Sequence, residues 1–433
     1  MNQAANDDPT GARQTLANAR LIDPEAGTEK LGWVTLSAGR IVDIGSGAQV
    51  PEGARDCRGQ CLAPGIVDVG VKIGEPGERH KESFRTAGLA AAAGGVTTMV
   101  TRPDTEPPLD TPEMLQFFLQ RAEAECKVRV LPMAALTKGR RGREMTEIGF
   151  LKDAGAVAFS DADRPVADAR ILSRAMTYAA GLDTLLVTHV QEPSLSDGAA
   201  MTAGPFAAKL GLPAVPPIAE RMQLERDLAL AEMTGVRLHA DQITTADALP
   251  ALARAKQAGL PVTAGTSIHH LTLNTFVVSD YRTFFKVKPP LRSEEDRSAT
   301  VAALADGLID VISSMHTPQD EESKRLPFEE AASGAVALET LLPAALRLTH
   351  SAALDLPALF RALSLNPARL LGLDCGRIAV GAPGDLVLFD AEAPFVLDRA
   401  GLQSKSKNTP FDLARLQGKV TTTWVAGRPV FGA

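Results

Sequence analysis

Aromatic residues are scarce: Phe, Trp and Tyr together make up 4% of the 433 residues. A core short of rings must be filled by Ala, Val and Leu, which suits helices packed on a parallel sheet. Cysteine is scarcer still, with Cys57, Cys61, Cys126 and Cys375 as the only four. They are too few and too scattered for a disulfide framework, and no second pair completes a zinc set with Cys57 and Cys61. They read as reduced thiols of a cytoplasmic protein. No stretch reaches the roughly 18–20 uncharged apolar residues of a membrane span, so no membrane role is expected. A basic excess is missing too: 45 Lys plus Arg against 52 Asp plus Glu leave a net charge of -7. That balance argues against nucleic acid as a partner. The opening MNQAANDDPTGARQ is polar and acidic, unlike a signal peptide. Its first dozen or so residues are expected to form a flexible tail. A hydrophobic fraction of 45% with 22% charged residues excludes wholesale disorder.

The two ends of the chain read as β structure. TLANARLIDPE, GWVTLSAGRIVDIG and ARDCRGQCLAPG near the start, and CGRIAVGAPGDLVLFDAE and GKVTTTWVAGRPVFG near the end, alternate apolar residues between Gly and Pro signals. Between them lie eight apolar runs of strand length: 65–71, 96–101, 128–134, 156–160, 184–190, 236–241, 261–265 and 309–314. Helical stretches separate most of them. KESFRTAGLAAAAGG ends in a glycine pair, a C-cap signal. TPEMLQFFLQRAEAE opens with a capping Thr and a first-turn Pro. IAERMQLERDLALAEMTG and TADALPALARAKQAG follow the same logic. Eight strands each followed by a helix is the arithmetic of a closed α/β barrel of the (β/α)8 type, with the terminal segments forming a small β-sandwich. The expected units are 1–63 and 373–433 for the two parts of the sandwich, and 64–372 for the barrel. An open doubly wound sheet is the competing reading, but no glycine-rich phosphate loop follows the first strand.

In a barrel the chemistry belongs at the C-terminal ends of the strands. Those ends carry Gly70-Val71-Lys72, Ser160-Asp161, His189, Asp241-Gln242 and Met315-His316. No G-x-S-x-G elbow, Cys/His pair or Walker loop accompanies them.

LAPGIVDVGVKIGEPGERHKESFRTAGLAAAAGGVTTMVTRPDTEPPLDT resembles the first two βα units of a dihydroorotase. The likeness continues through AFSDADRPV, THVQEPSLSDGAAMTAGPFAAKLGLP, FKVKPPLRSEEDR, LNPARLLGL and SKSKNTPF, nearly the whole chain. It implies the amidohydrolase superfamily and hydrolysis of a cyclic amide with zinc. Zinc lowers the pKa of a bound water and polarises the carbonyl. The resemblance places two histidines of an Asp-x-His-x-His motif where this chain has Gly70 and Lys72. It places a histidine at Gln242, and a metal-binding, proton-shuttling aspartate at Met315. Asp161, as the family's bridging carboxylate, and His189 remain as metal-site remnants. Gly74 stands where a substrate arginine belongs, RPDT with Asp104 replaces MPNT, and Lys288 replaces the Asn of KVNPPLR. Asp104, His269, Arg292 and His316 are the remnant substrate positions. No catalytic residue is expected, because the family's catalytic position is Met315.

The resemblance therefore points to a catalytically silent dihydroorotase-like chain of pyrimidine biosynthesis. Its expected partner is the catalytic chain of aspartate transcarbamoylase, in a homo- or hetero-oligomer. No cofactor is expected on this reading. The competing reading is an active, zinc-dependent dihydroorotase or related cyclic amidohydrolase. Hydantoinases carry a strand-four lysine where this chain has Asp161, which favours the dihydroorotase branch. A third reading is a binder of pyrimidine intermediates using Arg292, Lys288 and Arg102 as anion contacts. Two further expectations concern packing. The Lys72 ammonium is expected to replace the metal charge and pair with Asp161, and Met315 is expected to plug the barrel mouth. His239 is read as packing, and His80 is given no role.

Overall fold

A computed structural model describes residues 13–432; the expected N-terminal tail lies outside them. All eight apolar runs form strands: Ile66–Val71, Val96–Thr101, Arg129–Ala134, Ala158–Phe159, Leu185–Thr188, Arg237–Ala240, Val262–Ser267 and Val311–Ser313. They pair in chain order, every pair parallel. The sheet curls until its last strand returns to its first. There Ser314 N–H donates to the Asp68 carboxylate (2.8 Å) and Lys72 N–H to the His316 carbonyl (2.8 Å). The result is a nearly closed barrel, not the open doubly wound sheet.

Local chemistry sets the outer helices. Ser83 and Thr86 form a reciprocal capping box at the start of Phe84–Ala93. Thr111 caps Pro112–Glu125, with Pro112 in the first turn where a missing N–H costs nothing. Ile218–Thr234 stops at Gly235, which is left-handed. The Ala-rich face of Phe84–Ala93 is buried and lets the helix lie close to its neighbours. At its end, a Cβ on Gly94 would stand 2.0 Å from the Leu338 carbonyl oxygen, so only glycine fits.

Strands Gln14–Asp23, Thr28–Ser37, Arg40–Ser46, Arg55–Asp56 and Cys61–Pro64 join Leu386–Val396, Arg415–Val425 and Arg428–Phe431 in one eight-stranded sheet. Leu16, Val34, Ile41, Leu388 and Trp424 come from distant strands of it yet share one buried cluster. The sheet therefore folds over on itself. Its opposite side, with Val387, Phe389 and Val420, merges into the barrel core. All four cysteines are free, and burial pushes each thiol up to about 11. Among the described residues no helix is long and apolar enough to cross a membrane.

Candidate functional site

The floor of the barrel mouth is a glycine facing a methionine. Gly70 has φ +99, and a Cβ built on it would stand 2.6 Å from Met315 Sδ. Met315 is buried, itself with φ +48. Its thioether occupies the space that a side chain at position 70 would need.

Lys72, two residues on, emerges beside this plug. Its ammonium pairs with Glu78 at 2.7 Å and Asp104 at 3.6 Å. Asp104 Oδ2 also accepts from the Arg102 guanidinium at 3.2 Å, and the same Arg102 nitrogen reaches the Thr317 hydroxyl at 3.1 Å. Asp104 is thus a bridge between two cations. Asp241 lies at the end of the sixth barrel strand, Arg237–Ala240, and burial pushes it up to about 6 against the opposing field of Arg102. Gln242 donates to the Lys288 carbonyl at 3.3 Å.

The expected Lys72–Asp161 pair is not formed. The Asp161 carboxylate accepts from Leu136 N–H (3.0 Å), Thr137 N–H (2.9 Å) and the Thr137 hydroxyl. It is spent on tying down the loop after the third barrel strand. Lys72 found nearer acids because the GEPGERHKE loop folds back over the mouth and brings Glu78 to it. Asp163, two residues further along, faces the cavity instead. Lys288 lies 3.3 Å from it and Arg140 also bonds it. Burial would raise Asp163, but Lys288, Arg140 and Arg102 hold it well below the usual carboxylate range. The sequence reading missed both Asp163 and Arg140. The available signals were the second aspartate of SDADRP and the basic run that precedes it.

Asp163, His189 and Lys288 line a cavity of about 820 Å³ together with Gln191, Lys286 and Glu329. His189 is buried, and neither ring nitrogen has a hydrogen-bond partner. Burial, then the fields of Lys288, Arg102 and Arg292, drop its pKa to about 3 despite Asp163. It is a neutral imidazole at any physiological pH.

Other expected site residues serve as struts. Arg292 is buried and bonds Thr244, Thr202, Gln191 and Glu220 at 2.9–3.3 Å. Glu220 in turn accepts Thr244 N–H and Thr245 N–H, both at 2.8 Å. A guanidinium with four internal partners is not a free anion clamp. His316 Nδ1 accepts from Ala337 N–H at 3.1 Å, so the proton sits on Nε2, 3.5 Å from the Glu82 carboxylate. Glu82 also accepts from the Ser404 hydroxyl and Lys405 N–H, which anchors the SKSKNTPF segment to the barrel. His269 stacks on Phe411 of that segment, with ring centroids 6.0 Å apart. Arg102 and Lys288, read as possible anion contacts, are engaged by Asp104 and Asp163. His239 bonds Thr263 inside the barrel at 2.8 Å. His80 pairs with Asp320 on the surface.

Zinc does not fit this donor set. Gly70 offers no ligand and no room for one, Lys72 is a salt-bridged cation, and Gln242 is bound to backbone. The Asp161 carboxylate is taken up by Leu136 N–H and by the N–H and hydroxyl of Thr137. Among the described residues, no group of three or more His, Cys, Asp and Glu could hold a metal ion. The mouth instead holds its charges in cation–carboxylate pairs.

Comparison with known proteins places this geometry in a family. Residues 59–248 match the family model described as Dihydro-orotase-like. A protein named Dihydroorotase from Anaplasma phagocytophilum (strain HZ) is 40% identical over 424 residues, covering 96% of this chain and 94% of its own. One of the same name from Anaeromyxobacter dehalogenans (strain 2CP-C) is 40% identical over 419 residues, covering 96% and 97%. The fold matches the solved structure of L-hydantoinase (dihydropyrimidinase) from Arthrobacter aurescens with a TM-score of 0.87 at 24% identity, covering 96% of this chain and 95% of that one. With relatives at 40% identity alike from end to end, this chain belongs to the dihydroorotase-like family.

Proposed function

We propose that this chain is a dihydroorotase-family protein that does not hydrolyse dihydroorotate and works as a structural subunit. Its proposed partner is the catalytic chain of aspartate transcarbamoylase, in the cytoplasm, where four unpaired thiols stay reduced. One observation carries the reading: the positions of a metal centre hold Gly70, Lys72, Gln242 and Met315, each committed to another contact. A hydrolytic metal needs several converging anionic or imidazole donors. Here the same volume is filled by a thioether and an ammonium paired with two carboxylates.

The test is metal content and turnover of the purified chain after incubation with zinc. Substoichiometric zinc and no hydrolysis of dihydroorotate are expected. Tightly held zinc, together with hydrolysis that a chelator removes, would overturn the proposal.

A second reading, an active zinc-dependent dihydroorotase, is favoured by the end-to-end 40% identity to proteins that carry that name. The comparisons support this reading more than the first; the side-chain geometry supports the first. Hydrolysis in the same assay, abolished by His189→Ala, is the outcome the second reading requires.

A further inference from the structure

The sequence KGRRGRE at 138–144 puts four basic residues into seven positions of a chain whose net charge is -7. The structure makes it a tight hairpin at the barrel rim. Thr137 and Met145 bridge across it, and Gly139 and Gly142 turn it with φ +62 and +65. Gly139 N–H donates to Asp110 (2.7 Å) and Gly142 N–H to the Thr137 hydroxyl (2.8 Å), so the tip is held from both sides. Two of its cations find partners: the exposed Lys138 pairs with Glu144, and the inward-facing Arg140 grips Asp161 O and Asp163. Arg141 and Arg143 do not. Both are exposed, and among the described residues neither side chain has an ion-pair or hydrogen-bond partner. Arg164 joins them from the next loop, likewise exposed and unpaired, and lies at the lip of the 820 Å³ cavity. A Cβ on Gly142 would lie 3.7 Å from Val166 Cα, which puts the two loops side by side.

A basic loop alone is an ordinary solvated surface. A second observation sets this one apart. The helix that follows the hairpin, Ile148–Asp153, exposes Phe150 at 65%, and the neighbouring helix exposes Tyr178 at 45%. The Tyr178 hydroxyl lies 3.4 Å from where a Cβ on Gly149 would stand, which packs Tyr178 against the residue that precedes Phe150. In a chain with 4% aromatics, two exposed rings sit on the helix that continues the arginine hairpin and on its neighbour. Arginine and aromatic side chains together are the composition of protein-interface hot spots. A duplex or other extended polyanion would meet three guanidiniums on an otherwise acidic molecule, which is poor complementarity.

We propose that Arg141, Arg143 and Arg164, with Phe150 and Tyr178, form a docking surface for a folded partner protein that presents acidic side chains around an apolar spot. This rests on the structural-subunit reading for the partner's identity, but not for its chemistry. Unpaired guanidiniums on a held hairpin lose little freedom on binding carboxylates, and the rings supply the apolar contact that charge alone lacks. A partner seated there would also cover one lip of the cavity.

Two measurements separate the inference from the reading beneath it. The first is binding of a fluorescent oligoglutamate peptide at low ionic strength, by anisotropy. Arg141→Glu/Arg143→Glu is expected to weaken it at least about tenfold, while Lys419→Glu on the terminal sheet leaves it unchanged. Equal binding by the wild type and the double variant overturns the docking surface, as does tighter binding of a single-stranded oligothymidylate than of oligoglutamate. The second is sedimentation of the full chain with the aspartate transcarbamoylase catalytic chain. No complex with the wild type overturns the subunit reading. A wild-type complex that forms undiminished with both Arg141→Glu/Arg143→Glu and Phe150→Ala overturns the docking surface. Melting curves matching the wild type are expected for all these variants, because every altered side chain is exposed.

Discussion

Replacing Glu220 by Gln tests whether Arg292 is a strut or a ligand clamp. Both side chains are at most 1% exposed, and they lie 3.3 Å apart. At an effective dielectric of about 20, charges at that distance attract by about 5 kcal/mol. Desolvation of the two ions offsets most of this, so the pair as a whole contributes little net stability. Breaking it is different. Glu220→Gln leaves the guanidinium buried without a counter-charge, at a cost of about 3–5 kcal/mol. Arg292→Met leaves the carboxylate, which keeps Thr244 N–H and Thr245 N–H, at a cost of about 2–4 kcal/mol. The double variant removes both charges while the Gln oxygen still accepts from the backbone. It is expected to cost at least about 2 kcal/mol less than the sum of the singles. The assay is urea unfolding followed by circular dichroism, with midpoints compared at constant m. Additivity within about 0.5 kcal/mol, or an Arg292→Met midpoint equal to wild type, would refute the strut.

Acid should destabilise the chain well before its surface carboxylates titrate. Burial holds His189, His239 and His270 at about 3 and His269 at about 4, so the folded state leaves them neutral while the unfolded chain protonates them below its ordinary value of 6.5. Asp68 and Asp241, raised to about 6, act in the opposite sense, because the folded state binds their protons first. Near pH 5 four histidines against two aspartates leave a net uptake of about two protons on unfolding, so stability should fall by about 2–3 kcal/mol per pH unit toward pH 4; a flat urea midpoint between pH 7 and 5 would contradict this. Gly70→Ala should cost about 2–4 kcal/mol, from left-handed strain and from overpacking against Met315. Adding Met315→Ala should return the overpacking part only, which a double-mutant cycle in urea would measure. Glu82→Ala should loosen Lys405 from the barrel, read as faster exchange of its amide, because it removes the acceptor of Lys405 N–H and of the Ser404 hydroxyl.

Much of the fold was legible in the chain itself. Eight apolar runs of strand length separated by capped helices can close a single parallel sheet only by curling it, and short β segments at both termini can pair only with each other. The replaced metal positions were legible for the same reason: Gly70 has no side chain and Lys72 carries a positive charge in any fold. The unpaired cations were not legible, since Arg141 and Arg143 look like Lys138 and Arg140 until the hairpin gives the latter two carboxylate partners and the former two none.

The partners of each charge were decided by tertiary structure alone. Asp161 and Asp163 are two residues apart, yet one is consumed by backbone N–H groups across a loop and the other faces the cavity. Arg292 and Glu220 lie far apart in the chain and meet only because the barrel brings the start of helix Ile218–Thr234 beside the loop that precedes helix Glu294–Ala305. Residue type, which determines what a position can donate or coordinate, is written in the sequence. Which donor finds which acceptor depends on distances of a few ångströms between segments far apart in the chain, and those exist only once the barrel has closed.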